Sequence, residues 1–288
     1  LVRSRGLGDV YKRQLTGYGQ TGPLRDRAGH DINFLALAGL LSHSGRKAEG
    51  PAPQGFLAAD VGAGSLGALV GILTAVIHRI QTGEGQFVDV SMFDGALTQN
   101  LFAATQWLGG GELPGPESML TNGGSVYDYY RTRDGRYLAV GCIEPPFWQG
   151  FCRTIGRPDL QGELREPGLA TAPLKAKIRA AIAEKTLEEW RAVFDAQNVC
   201  VEPVLNVEEA FSHPHTRARG MTVDVPAPDG GTRRQPACPI HFSAFEPEYG
   251  PTGAALGAHT VEVLGEAGYA DAEIQALQEQ GVVRAQPA

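Results

Sequence analysis

The sequence predicts an α/β protein, and three consecutive segments carry that prediction. Residues 61–80 form a long apolar run typical of a helix, residues 86–90 alternate like a strand, and a further helix begins near Ser91. A helix followed by a strand and another helix is the usual order of elements in α/β folds. The chain has 288 residues, 42% of them hydrophobic, which is enough for one large domain or two ordinary ones.

Residues 15–120 are assigned to a large domain. After a turn-rich stretch, a short apolar helix is predicted over residues 32–41, and a connector rich in glycine and proline leads to the long helix. The uncharged run over residues 61–77 stops short of a membrane span, and its glycines make it poorly hydrophobic for its length. We therefore expect a small-residue helix packed inside the protein, with Asp60 as its N-cap.

The first fourteen residues differ abruptly from those that follow. They include four basic side chains, have neither helical nor strand periodicity, and resemble translated sequencing-adapter read-through. A disordered basic tail is the alternative interpretation. We expect residues 1–14 to be non-native or disordered and, if they are an artefact, the true N-terminus to be missing.

Residues 121–219 are predicted to form a small α+β domain. Asp134-Gly135 is a strong signal for a hairpin turn between two short strands, and Thr186 is a good N-cap for an amphipathic helix. The predicted elements are strands at 125–131 and 136–141, helices at 172–184 and 187–196, a strand at 200–205 and a helix at 207–211.

Residues 220–288 are predicted to return to the large domain. A loop is expected over residues 226–239, and two helices are expected within residues 257–283. Gly268 lies between these helices, where a glycine often ends a helix.

Composition and charge exclude several classes of function. The 25 basic and 32 acidic side chains give a net charge of −7, which argues against a broad basic surface for nucleic acid or an anionic membrane. The four cysteines have neither CxxC nor zinc-like spacing, so we expect no metal, no disulfide framework and a cytoplasmic setting. No motif for nucleotide phosphoryl transfer or for an α/β-hydrolase nucleophile is present.

Three segments of the chain place titratable side chains beside apolar residues. His30 and Asp31 stand at the start of the short apolar helix, where such a pair is more often a helix cap than a catalytic base. Asp60 is equally ambiguous, since burial disfavours a charged carboxylate whereas a helix N-terminus favours it. Glu144 lies in CIEPPFW, whose apolar side chains are expected to desolvate it. Together these residues form a candidate acid–base constellation.

Several long segments then make the chain recognisable. GYGQTGPLRDRAGHDINFLALAGLLSHSGR, LAADVGAGSLGALVGILTAVIHRIQTGEGQFVDVSMFDGAL and GGSVYDYYRTRDGRYLAVGCIEPPFW, with the GAHTVEVLGEAGY tail, resemble the family III CoA-transferases from Leu15 onward. GHDIN is most similar to the α-methylacyl-CoA racemase branch, because the transferase branch usually has a non-basic residue at the position of His30. The resemblance implies a Rossmann-like large domain whose first part is missing, a small α+β domain and an interlocked homodimer.

The resemblance also implies roles for the candidate residues. Racemisation next to a thioester needs one group that removes a proton and an opposed group that returns one. His30 would serve one face and Asp60 the other, through an enolate, while Glu144 reaches across the dimer interface to orient or polarise His30. Backbone N–H groups near Gly29 or Gly62 would hold the enolate oxygen. The residues expected to bind substrate are Gly29, Asp31, Ile32, Asn33 and Phe34.

Other readings stay open. The position of Asp60 is the nucleophile in the transferase branch, so the alternative is a CoA-transferase, and a third possibility is an inactive fragment without the CoA-binding half. Members of the racemase branch often have an asparagine shortly before the segment that contains Asp60, whereas this chain has Gln54-Gly55-Phe56. This difference leaves the choice of substrate open. The expected partner is an acyl-CoA of fatty acid metabolism, with no cofactor beyond its CoA moiety, no nucleic acid and no membrane. Arg25 and Arg27 are the nearest cations for a phosphate, although a solvated loop is their more common role.

Overall fold

The computed structural model describes residues 11–164 and 171–285, and the chain divides into two compact units, Leu1–Val204 and Leu205–Ala288. Mixed helices and strands fill both units, in agreement with the predicted α/β class. The predicted domain boundaries near residues 120 and 220 stay predictions, as does the interlocked dimer.

The first unit begins with a parallel pair of strands, β1 (Tyr11–Thr16) and β2 (Gln86–Ser91), in which Leu15 lies opposite Val90. The helices between them supply the crossover that parallel strands require. β1 contains residues 11–14, which the sequence assigns to the tail. Backbone pairing with β2 orders these four residues whatever their side-chain pattern, so the expectation of disorder is wrong for them, whereas a non-native origin stays a prediction. Residues 1–10 lie outside the described part of the chain.

The crossover and the segment after β2 are helical, and the predicted helices at 32–41, at 61–80 and from Ser91 are confirmed. The Ser91 hydroxyl accepts a hydrogen bond from the Asp94 N–H at 3.1 Å and so caps the third helix. The elements are α1 (Asp31–Leu37), a π-helical segment (Ala58–Ser65), α2 (Leu66–Thr82), α3 (Met92–Gln99) and α4 (Leu101–Leu108). Asp60 lies inside the π-helical segment, so its predicted role as an N-cap is wrong; Leu57 stands at that position.

Small residues let the π-helical segment approach α3 closely. A Cβ on Gly95 would lie 2.7 Å from the Cβ of Ala63, and one on Gly64 would lie 2.6 Å from Cγ of Met92. Both distances are shorter than two carbon atoms can approach without a clash. The predicted close packing is therefore confirmed at this end of the long helix, where Ala59 and Ala96 join the core.

α2 packs through one face only. A Cβ on Gly71 would lie 2.9 Å from Cγ1 of Val88, so a small residue is needed against β2. The opposite face is a stripe of exposed apolar side chains, namely Leu66, Leu69, Val70, Leu73, Ile77 and Ile80. The prediction of a helix buried inside the protein is wrong for this face. By length and composition alone Ala58–Thr82 could also cross a membrane, so the expected absence of a membrane partner stays a prediction.

The first unit continues with an antiparallel sheet of β3 (Asp128–Arg131), β4 (Tyr137–Val140) and β5 (Val201–Pro203). The predicted hairpin is confirmed with shorter strands. Gly135 has a φ of 80° at its turn, which favours glycine. Three helices build a core with this sheet around Tyr130, Trp148 and Trp190, namely α5 (Pro145–Thr154), α6 (Ala172–Ile182) and α7 (Leu187–Phe194). Thr186 caps α7 as predicted.

The second unit contains a hairpin of β6 (Thr222–Pro226) and β7 (Thr232–Pro236). The predicted loop over residues 226–239 is wrong for β7, because Asp229-Gly230 is itself a hairpin signal and Asp224 pairs with Arg234 across the strands at 2.9 Å. The expected helices near the end of the chain are confirmed. The helices of this unit are α8 (Val207–Ser212), α9 (Pro214–Ala218), α10 (Thr260–Glu266) and α11 (Asp271–Glu279).

Candidate active site

His30 is held at the N-terminus of α1 by the residues on either side of it. Its backbone N–H donates to Oδ1 of Asn33 at 3.0 Å, while its carbonyl accepts the Asn33 N–H at 2.8 Å. The preceding Gly29 fits between two rings, because a Cβ there would lie 2.8 Å from Cε1 of Phe34 and 2.9 Å from the hydroxyl of Tyr18. The backbone is thus fixed on both sides of His30, and its imidazole remains exposed.

Asp31 connects α1 to the segment that carries Asp60. Its carboxylate is buried, with 7% of the residue exposed, and one oxygen, Oδ2, accepts two backbone hydrogen bonds. The donors are the N–H groups of Ala59 at 2.7 Å and Asp60 at 3.0 Å. A carboxylate that accepts the first N–H groups of a helical segment is favoured by charge and by geometry. Asp31 therefore holds the backbone of Asp60 close to the start of α1. Because Asp31 directly follows His30 in the chain, the same residue links the two candidate catalytic groups.

Asp60 carries the one unusual polar atom of this region. Among the described residues, its Oδ1 is buried and has no hydrogen-bond partner. A buried carboxylate oxygen without a donor costs free energy, and in native proteins such atoms call for an explanation, often a functional one. The π-helical turns around Asp60 are also rare and are found frequently at functional sites.

His30 and Asp60 line the same cavity, whose volume is about 480 Å³. Apart from His30, Asp31 and Asp60, its walls are largely apolar, and it is of the size that small-molecule sites commonly have. The remaining lining residues are Ile32, Leu35, Leu41, Pro51, Ala52, Pro53, Gln54 and Leu57. An imidazole and a carboxylate on one apolar cavity are suited to general acid–base chemistry.

The structure separates the other predicted site residues into three groups. Asp31 and Ile32 line the cavity, and their contact with substrate stays a prediction. Gly29 and Asn33 are not among its lining residues, and they position His30 instead. Phe34 is 1% exposed in the core beside Tyr18, so its predicted contact with substrate is corrected: on the first turn of α1 its side chain faces inward.

Glu144 is the N-cap residue of α5, is exposed, and does not line the cavity in the described chain. The prediction that Glu144 is desolvated is therefore wrong within one chain. The apolar side chains of Trp148 and Phe151 lie instead in the core that α5 forms with the three-stranded sheet. A role for Glu144 across a dimer interface stays a prediction. Arg25 pairs with Asp26 at 3.0 Å on the surface, and neither Arg25 nor Arg27 lines the cavity.

The cavity wall formed by Pro51, Ala52, Pro53, Gln54 and Leu57 was not predicted from the sequence. Most of it lies in residues 45–55, whose glycines and prolines predict a connector. A usable signal was present in Leu57, a large apolar residue that follows the proline-rich loop and precedes Asp60 by three positions. The structure leaves this side chain 54% exposed. Apolar residues on a proline-rich loop that leads into a candidate catalytic carboxylate are suited to form the side of a ligand pocket.

Comparisons with known proteins identify the family to which the chain belongs. A family model described as CoA-transferase family III matches residues 11–260. The chain is 37% identical over 284 residues to the α-methylacyl-CoA racemase of Mus musculus, covering 95% of this chain and 71% of that protein. It is 33% identical over 281 residues to an acyl-CoA transferase of Fusarium pseudograminearum, covering 93% of this chain and 60% of that protein.

A solved structure of a CaiB/BaiF family protein from Brucella suis has a TM-score of 0.70 and 25% identity, covering 88% of this chain and 67% of that one. The chain therefore belongs to CoA-transferase family III, a family of enzymes that act on CoA thioesters. Both racemases and transferases are among its similar proteins.

Replacing Asp31 by Ala tests its role as a positioning residue. We expect the free energy of unfolding to fall by about 2–3 kcal/mol, because two charge-assisted hydrogen bonds are lost and two N–H groups are left without their acceptor. The backbone amides of Ala59 and Asp60 should exchange faster with solvent, as measured by hydrogen–deuterium exchange. Asp31→Asn keeps an acceptor oxygen and should retain most of the protection.

The matched control is Asp26→Ala, which removes an exposed carboxylate paired with Arg25. Exposed ion pairs contribute between zero and about 1 kcal/mol, so this variant should unfold like the parent chain. Unchanged amide exchange at Ala59 and Asp60 in Asp31→Ala would show that Asp31 does not hold this segment.

Proposed function

We propose that the chain is an isomerase that racemises 2-methylacyl-CoA thioesters at the α-carbon by 1,1-proton transfer. The observation that carries this proposal is that His30 and Asp60 line one cavity, from two segments that Asp31 holds together. Racemisation removes a proton from one face of the α-carbon and returns one to the other face, and it therefore requires two acid–base groups of this kind. The similarity to an α-methylacyl-CoA racemase supports the same reaction.

In the proposed mechanism an imidazole nitrogen of His30 removes the α-proton from one face of the thioester. The electron pair of the C–H bond moves through the α-carbon to the carbonyl oxygen and forms an enolate. The protonated carboxyl group of Asp60 returns a proton to the opposite face as the carbonyl is restored, and the reverse direction exchanges the two roles. The apolar wall formed by Ile32, Leu35 and Leu57 suits the branched acyl chain.

We further propose that the active species is a homodimer in which Glu144 of a second copy approaches His30 and orients its ring. The exposed position of Glu144 at the start of α5 is compatible with this role, since its carboxylate makes no capping hydrogen bond within its own helix. Backbone N–H groups near Gly29 or Gly62 are proposed to stabilise the enolate oxygen. CoA enters as part of the substrate, and no other cofactor is proposed.

A family III CoA-transferase is the second candidate. In that reaction the Asp60 carboxylate attacks the thioester carbonyl, expels CoA as the thiolate and forms a mixed acyl–aspartyl anhydride. The thiolate then attacks the aspartyl carbonyl, which releases the donor acid as a carboxylate and leaves an aspartyl-CoA thioester. An acceptor carboxylate takes up the CoA by the same two steps in reverse, which restores Asp60. Two observations favour it: the similarity to an acyl-CoA transferase, and a carboxylate oxygen on Asp60 that no donor in the described residues holds. His30 has no required part in that chemistry.

Incubating the purified 288-residue chain in D₂O with one enantiomer of a 2-methylacyl-CoA distinguishes the two reactions. The racemase proposal predicts deuterium at the α-carbon and formation of the other enantiomer, followed by NMR and by chiral separation of the released acid. A parallel sample contains a ¹³C-labelled free carboxylic acid, which should not enter the thioester pool. Transfer of CoA to that acid without α-deuteration contradicts the racemase, and a folded chain that does neither contradicts both reactions.

A further inference from the structure

A second cavity, of about 350 Å³, lies beside the three-stranded sheet of the first unit. It shares no lining residue with the cavity that contains His30 and Asp60. Its composition is unusual, since three arginines and two tyrosines supply most of its wall. The lining residues are Arg46, Glu117, Tyr129, Arg131, Tyr137, Arg179 and Ala183.

The sheet brings the tyrosines and one arginine onto a common face. Tyr129 and Arg131 are two positions apart on β3 and therefore project from the same side of the strand, and Tyr137 is the register partner of Arg131 on β4. Tyr129 is 61% exposed and Tyr137 is 44% exposed, whereas Tyr130, on the opposite face, is fully buried. Two aromatic rings and a guanidinium group are thus displayed together without a core to pack against.

Positive charge exceeds negative charge around this cavity. Glu117 is the one carboxylate in its wall, and it already accepts from Nη1 of Arg46 at 3.2 Å and from the backbone N–H of Lys47 at 3.1 Å. Arg179 approaches the buried Asp128 only to 3.7 Å, and its side chain is 51% exposed. No carboxylate in the described part of the chain pairs with Arg131. Two guanidinium groups are therefore available to an anion.

We propose that this cavity binds an organic phosphate that carries a flat ring. The phosphate group lies between the guanidinium groups of Arg131 and Arg179, whose planar donors match phosphate oxygens. The ring lies against Tyr129 and Tyr137, whose phenol groups add both an apolar surface and a hydrogen-bond donor. The volume suits a mononucleotide and is too small for a complete acyl-CoA.

The observations that define this cavity do not depend on the proposed racemase reaction. Free nucleotides and the nucleotide end of CoA present the same chemistry, so the test includes both. Isothermal titration of the 288-residue chain at low ionic strength uses ADP, adenosine, inorganic phosphate and CoA as separate ligands. We expect saturable binding of ADP, and binding of adenosine and of phosphate at least about tenfold weaker, because each retains only one of the two contacts.

Variants then locate the bound ADP. Arg131→Ala and Arg179→Ala should each weaken ADP binding by about 10- to 100-fold, the usual effect of losing a charge-assisted hydrogen bond. Tyr129→Ala should weaken ADP about tenfold and leave phosphate binding unchanged. Arg191→Ala is the matched control, because it removes a partly exposed arginine of α7 that pairs with Glu188 and does not line the cavity.

Each outcome decides the assignment. Loss of CoA binding together with ADP binding in Arg131→Ala identifies the nucleotide end of CoA as the occupant, whereas loss of ADP binding alone identifies a free nucleotide. The proposal is overturned if ADP shows no saturable binding, or if Arg131→Ala and Arg179→Ala bind ADP as the Arg191→Ala control does. Melting temperatures of all variants confirm that these surface replacements leave the fold intact.

Discussion

His30→Ala and Asp60→Asn are expected to lower the racemisation rate by about 10²- to 10⁴-fold each, which is the usual contribution of one general acid–base group. The two variants should differ in what they retain. If each residue serves one face, His30→Ala still exchanges the α-proton of the enantiomer whose proton points to Asp60. Asp60→Asn should exchange only the other enantiomer. Both should invert configuration only at the reduced rate, since efficient inversion needs both groups.

The measurement follows α-deuteration of each pure enantiomer in D₂O by NMR, with inversion followed on the same samples by chiral separation. His78→Ala is the control, because it removes an imidazole on α2 that lines neither cavity. A transferase predicts a different pattern: Asp60→Asn abolishes CoA transfer while His30→Ala preserves it. Equal exchange of both enantiomers in His30→Ala would exclude His30 as an acid–base group.

The sequence identified the chemistry of the site more readily than its architecture. His30, Asp31 and Asp60 could be selected as candidates because each lies at the edge of an apolar segment, and the resemblance to family III CoA-transferases then implied their roles. Their spacing along the chain does not reveal that Asp31 accepts hydrogen bonds from the backbone of Ala59 and Asp60, because that contact joins residues 28 and 29 positions apart. Only the packing of α1 against the π-helical segment brings these groups together.

Packing also explains the main errors. An apolar helix and a helix with one exposed apolar face have the same composition, so Leu69 and Leu73 of α2 gave no sign of their exposure. Ile32 and Phe34 are both apolar and follow His30 by two and four positions. Phe34 nevertheless lies in the core, whereas Ile32 lies on the cavity wall. The direction of each side chain on the first turn of α1 decides this, and that direction depends on where the helix begins to within one residue.

Asp128→Ala is expected to destabilise the chain by about 3–5 kcal/mol, the usual result of removing one partner from a buried charge cluster. The Asp128 side chain is 2% exposed and holds Nζ of Lys175 at 2.6 Å and Nη1 of Arg46 at 3.1 Å. Lys175 is almost as buried, and its one other partner in the described chain is the Gly123 carbonyl at 2.7 Å. Without Asp128 its charge is left uncompensated.

Urea unfolding followed by tryptophan fluorescence measures this effect, since Trp148 and Trp190 lie in the core of the same unit. Asp159→Ala is the control, because its carboxylate pairs with Arg157 at the surface and should contribute less than about 1 kcal/mol. The double variant Asp128→Leu with Lys175→Met replaces both buried charges by apolar side chains and should recover much of the loss. A change below 1 kcal/mol in Asp128→Ala would show that the cluster does not stabilise the fold.

The same cluster predicts how stability depends on pH. Burial raises the pKa of Asp128, but hydrogen bonds from Arg46, Lys175 and the Tyr129 N–H outweigh burial, so the pKa is lowered from its ordinary value. A carboxyl group with a lowered pKa in the folded state binds its proton more readily when the chain unfolds. Its contribution is therefore complete above about pH 4, the ordinary range of an aspartic acid, and is lost as the pH falls through the lower folded value. Asp128→Ala should remove this part of the acid sensitivity, so the difference in stability between the parent chain and the variant should narrow below about pH 4.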